Sequence, residues 1–128
     1  YNVSMSNRQR FYFALAFAAF VILLHKIAHE LYLYWTYRWV DIPMHILGGI
    51  MAGLFTFVFL RITRLPESIK NLLIGVVIVG VGWEILELLY KVDALSTRYW
   101  IDTIKDLIDD TIGGFISIYI WKKIPNQK

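Results

Sequence analysis

Residues 41–62 read DIPMHILGGIMAGLFTFVFLRI, and this stretch decides the fold. Across 42–62 it supplies the roughly 20 apolar residues that a helix rising about 1.5 Å per residue needs to cross a hydrocarbon core of about 30 Å. It opens through Asp41 and Pro43, and proline near a helix start is tolerated because its missing N–H would have no partner there. Yet Asp41 and His45 share one face of this helix, a single turn apart. A charged group in a span costs roughly 2.5–3.5 kcal/mol at the bilayer centre and less near the interface. Such groups persist where they pair, line a wet cavity or hold a cation.

Outward from this stretch, three more segments are long enough to span, at about 11–35, 69–90 and 102–121. Ser68 and Pro66 punctuate the start of the third, and Pro125 follows the fourth. The first apolar run has a basic flank but no small-residue cleavage pattern after it, so it is expected to be retained as a helix. The chain has 128 residues, of which 58% are hydrophobic, against about 45–50% in a soluble domain. Its mean hydropathy is +0.54. These features predict one transmembrane domain over 1–128, an all-α integral membrane protein built as a four-helix bundle. The alternation of a β-barrel is absent. With no cysteine there is no disulfide frame and no thiolate metal site. The net charge of +3 is small, and the basic residues gather at segment ends, which suits lipid headgroups and argues against nucleic acid as a partner.

Charge asymmetry predicts the topology. Arg8, Arg10, Arg61, Arg64, Lys70, Lys122, Lys123 and Lys128 fall on one side, and Arg38, Lys91, Arg98, Lys26 and Lys105 on the other. The heavier basic side is the cytoplasmic one, so both termini are expected there, in a bacterial inner membrane. Tyr32, Tyr34, Trp35, Tyr37, Trp39, Tyr99 and Trp100 then form an outer aromatic belt, with Tyr119 and Trp121 in the inner one.

This topology collects the ionisable residues. His25, His29 and Glu30 end the first helix, Asp41 and His45 begin the second, Glu84 and Glu87 end the third, and Asp102, Asp106, Asp109 and Asp110 begin the fourth. All map to the outer half. The four aspartates of the last helix cover only about 100° of arc. Carboxylates packed so closely repel, and some must be protonated or neutralised. Oxygen and imidazole ligands from facing helices are how carboxylate metal sites are built in bundles. Asp41, His45, Glu84, Glu87, Asp102, Asp106 and Asp110 are therefore the candidate ligands of a divalent metal, and the donor set suits Mg²⁺, Mn²⁺, Ca²⁺ or Zn²⁺. Plainer readings compete. Asp41 and Asp102 can act as caps that complement the helix dipole. His25 and His29 fit interfacial positions, Glu30 can pair with Lys26 on its own helix, and Glu67 and Asp93 read as solvated loop charges. The glycines, among them Gly49, Gly53, Gly75, Gly80, Gly113 and Gly114, read as close helix packing, with a homodimer through such faces as a further possibility.

Several segments resemble a known group. Asp41-Ile42-Pro43-Met44-His45, followed by Leu47-Gly48-Gly49, resembles the Asp-x-x-x-His segment that opens a helix in VanZ-like membrane proteins. Trp83-Glu84-Ile85-Leu86-Glu87 is similar to the acidic helix end of that group, and closer to the aromatic-Glu-x-x-Glu segment of the YjdF-like bacterial inner-membrane proteins. Asp102-Thr103-Ile104-Lys105-Asp106, with Gly113 beyond it, resembles their Asp-x-x-x-Asp…Gly run, although VanZ-like sequences usually carry Asn at the position of Asp110. The resemblance implies a compact helical membrane fold with a polar cluster, and the association of VanZ-like proteins with glycopeptide resistance implies a role at the envelope.

The functional expectation is a small membrane enzyme whose metal acts on a lipid headgroup or a lipid-linked envelope precursor, with Glu84 or Glu87 as general base. Two other classes stay open. One is a cation or proton transporter subunit; the other is a non-catalytic module that binds lipid or antibiotic. A bound metal, an ion flux and a copurified lipid discriminate among them.

Overall fold

The computed structural model describes residues 5–90 and 97–124. Its elements are helices α1 (Asn7–Glu30), α2 (Leu33–Thr36), α3 (Asp41–Ile62), α4 (Ile69–Tyr90) and α5 (Thr97–Lys123), with a single 3-10 turn, Arg38–Val40, leading into α3. Lys91, Asp93, Ser96, Pro125 and Lys128 lie outside the described residues.

Local chemistry sets the helix ends. Ser6 caps α1 in a reciprocal box with Gln9, its hydroxyl accepting from the Gln9 N–H while the Gln9 amide oxygen accepts from the Ser6 N–H. At the other end of α3, Arg64 takes the left-handed conformation (φ 59°). There the Leu65 N–H bonds the Leu60 carbonyl and the Arg64 N–H bonds that of Arg61, the Schellman arrangement. The Ser68 hydroxyl accepts from the Asn71 N–H to start α4.

Two segment boundaries differ from expectation. The first helix stops at Glu30 rather than continuing to residue 35, because the chain turns through Tyr32 (φ 55°) into the short α2. Its aromatic residues have modest helix propensity and gain more by docking sideways. Tyr34 reaches His25, hydroxyl to Nδ1, at 2.8 Å, and the Trp35 ring meets His29 edge-on at 5.3 Å. The last helix begins at Thr97 rather than 102; Tyr99 anchors this extra turn by donating to the Glu84 carbonyl at 3.1 Å.

Helix α3 is the hub, packed against α1, α4 and above all α5. The last contact is close because glycines face it. A Cβ on Gly49 would collide with the Asp110 backbone, and one on Gly113 with the Ile46 carbonyl. Leu54, Phe57, Val58, Leu72 and Val76 fill the core around this seam.

The end of the bundle away from the aspartates closes on Trp121. Phe57 stacks on its indole with centroids 5.1 Å apart, and the Arg10 and Arg61 guanidinium groups lie 4.5 and 5.3 Å from the ring. The Trp121 indole N–H donates to Glu67 at 2.8 Å, and Arg61 pairs with the other Glu67 oxygen, also at 2.8 Å. Glu67 is thus an exposed loop charge, as expected, but one with two partners. It ties α5 to the α3–α4 connection.

Among the described residues, three helical segments are long and apolar enough to cross a membrane: Asn7–Glu30, Arg38–Ile62 and Ile69–Leu89. Helix α5 falls outside that set because its first half carries the aspartates, although its length of about 40 Å at 1.5 Å per residue would suffice.

Candidate metal centre

His45 lies one turn into α3 and is 8% exposed, facing α5. Its two ring nitrogens meet different partners. Nδ1 is 3.3 Å from Oδ1 of Asp110, while Nε2 is 3.6 Å from Oδ1 of Asp41 and 3.6 Å from Oδ2 of Asp106. Asp41 comes from the same helix, four residues earlier; the other two come from α5, one turn apart. One ligand atom from each of Asp41, His45 and Asp106 lies within 4.8 Å of the others, a spacing that can hold a metal ion.

Lys105 completes the group. Its ammonium is 3.1 Å from Oδ2 of Asp41, bonded to Oδ1 of Asp106, and 3.5 Å from Oδ2 of Asp109. Asp41 and Asp106 therefore each turn one oxygen to Lys105 and the other to His45. Asp106, Asp109 and Asp110 are buried, whereas the Asp41 and Lys105 side chains are 31% and 39% exposed. The centre is closed toward the core and opens at the start of α3.

The other candidate ligands stand apart. Glu84 is buried on α4, where its Oε2 accepts the Thr103 hydroxyl at 2.7 Å. Glu87, one turn on, accepts the Trp83 indole N–H at 3.2 Å. Asp102 is exposed, a turn nearer the start of α5 than Asp106. The geometry brings Asp41, His45, Asp106 and Asp110 together; Glu84, Glu87 and Asp102 are not in this group.

A smaller polar contact lies at the same end. The half-buried Tyr34 hydroxyl, on α2, has its pKa pushed up to about 12 by burial, with Asp41 and Glu87 adding to it. It keeps its proton and can donate to His25, whose ring also stands edge-on to Trp83 at 5.7 Å.

The family described as "Predicted membrane protein (DUF2238)" matches residues 3–126. The chain belongs to this family. No curated protein and no solved structure matches it. As a DUF2238 member with three apolar spans among the described residues it is a membrane protein, and its Asp–His–Asp group joins the start of α3 to the first half of α5.

Lys105 is the member of the centre that sequence reading put on the same side as the acids but not among the site residues. Its i, i+4 relation to Asp109 is visible in the sequence. Its reach to Asp41 depends on how α5 is rotated against α3, which the glycine seam fixes.

Proposed function

We propose that this DUF2238 protein binds a divalent cation at Asp41, His45 and Asp106 and uses it on a lipid headgroup or lipid-linked envelope precursor. The observation that carries this reading is the division of the His45 ring. Nδ1 can donate to Asp110, and in that tautomer the Nε2 lone pair faces Asp41 and Asp106. A carboxylate behind a histidine in this way fixes the tautomer of metal-ligating imidazoles. Asp110 is then an orienting partner rather than a ligand, and Lys105 holds the ligand carboxylates by their far oxygens.

Such a cation polarises a phosphoryl or carbonyl oxygen and lowers the pKa of water. Glu87 is the better candidate for general base, since it is half-buried whereas Glu84 is buried against Thr103. The wider placement belongs to the same proposal: α5 as a fourth span with its acids turned to α3, both termini cytoplasmic, a bacterial inner membrane and an outward-facing site. The bias of basic residues supports it.

The Lys105 contacts favour a second reading, in which the protein's own ammonium balances the carboxylates and the group carries protons or cations. Calorimetric titration of purified protein with Mn²⁺ and Zn²⁺ tests the first. Saturable binding should vanish in Asp106→Asn and weaken by about 10–100-fold in Asp110→Asn. No binding by the unaltered protein, together with an ion flux in proteoliposomes, would replace the metal reading by the transport one.

A further inference from the structure

A groove of about 480 Å³ runs between α3 and α4, on the half of the molecule away from the metal centre. Its walls are apolar: Ala52, Phe55 and Phe59 on α3, Ile74 and Ile78 on α4, and Leu65 between the helices. The two polar side chains that line it are turned to the backbone, Thr56 donating to the Ala52 carbonyl at 2.8 Å and Asn71 to that of Pro66 at 2.9 Å. The walls thus ask for hydrocarbon.

Length and charge say which hydrocarbon. On α4 the groove runs from Asn71 to Val79, about 12 Å at 1.5 Å per residue, which is close to half of a core of about 30 Å. That is the depth of one leaflet. A helix from a second copy would pack along the whole of α3 or α4, whereas one acyl chain fills a half-depth slot. At the mouth, the lining residues Leu65 and Asn71 each adjoin an exposed basic residue, Arg64 and Lys70. Arg64 is the exposed left-handed residue that ends α3.

We propose that this groove is a binding site for an anionic phospholipid of the leaflet at that end, with an acyl chain between α3 and α4 and the phosphate against Arg64 and Lys70. It is separate from the metal centre and does not depend on it. The site accounts for a slot that the chain leaves open in its otherwise close α3–α4 contact, where Gly75 meets Thr56. It also accounts for the two cations at its mouth.

Native mass spectrometry of the full chain, with phosphatidylglycerol, phosphatidylcholine or glycerophosphate added, tests this. One phosphatidylglycerol should bind at least fivefold more tightly than phosphatidylcholine, and glycerophosphate alone should not bind. Ile78→Trp should fill the slot and abolish that binding. Arg64→Glu with Lys70→Glu, both at exposed positions, should keep lipid binding but lose the headgroup preference. Equal binding of both lipids by the unaltered protein would overturn the proposal, as would full retention of the preference in the double variant. A dimer that Ile78→Trp dissociates would assign the groove to a second copy instead.

Discussion

Asp110 sits behind His45 only because Gly49 lies between their helices. The same α5 residue whose backbone occupies the space of a Gly49 side chain places its carboxylate 3.3 Å from the imidazole on α3. Packing and site geometry are thus one feature. A Gly49→Ala substitution has no flexible side chain to push aside, only the Asp110 backbone, so the helices must part. Overpacking of this kind costs about 1–3 kcal/mol. A lowered Tm and weakened Mn²⁺ binding are expected together. Gly82 has nothing within 4 Å of its would-be Cβ, so Gly82→Ala should leave binding intact and raise stability by up to about 1 kcal/mol.

The ammonium of Lys105 touches three carboxylates on two helices. Lys105→Met keeps the stem and removes the charge, leaving Asp41, Asp106 and Asp109 to repel one another. Removing one partner of a buried pair costs about 3–5 kcal/mol, and the partial exposure of Lys105 and Asp41 reduces this to roughly 1–2. The loss should appear in melting curves recorded in chelator. Added divalent ion should recover most of it, because a ligand that binds only the folded state stabilises by mass action. Recovery by monovalent salt alone would point to charge screening and away from a metal.

The i, i+4 spacing of Asp41 and His45 and the stepping of the aspartates along α5 already place acids and imidazole on faces that can meet. What the sequence does not fix is rotation and depth. Asp102 shares the acidic arc of α5, but Lys105 is already level with Asp41 at the start of α3. Asp102 lies about 4.5 Å further along, beyond the end of its neighbour. Glu67 looks like a loop charge because its partner Trp121 is 54 positions away in the chain. The break at Tyr32 is equally non-local, since the aromatic residues after it dock on His25 and His29 instead of continuing α1.

Sidedness has a direct test, since the chain contains no cysteine and each introduced thiol reports alone. Arg38, in the turn before α3, and Lys70, at the start of α4, are both exposed and lie at opposite ends of the bundle. In intact cells a membrane-impermeant maleimide should label Arg38→Cys and spare Lys70→Cys until the membrane is opened. Labelling of both from outside would remove the outward-facing placement of the metal centre.

Glu84 and Glu87 provide the sharpest division between ligand and base. Both lie on α4, one turn apart, and neither belongs to the group around the Nε2 of His45. Glu84 accepts a hydrogen bond from Thr103, which a glutamine oxygen can still accept, and Glu87 accepts from Trp83 in the same way. The double substitution to Gln therefore keeps volume and these two contacts while removing two ionisable carboxyl groups. It should insert and fold, with a Tm in chelator at or above that of the unaltered protein, since acids held at functional sites often cost stability. Its affinity for Mn²⁺ should stay within about threefold, whereas Asp106→Asn loses binding. A large drop in affinity would place these glutamates in the coordination shell. Failure to fold in detergent would make them structural partners of α5, and the proposed base would have to be sought elsewhere on the rim of the site.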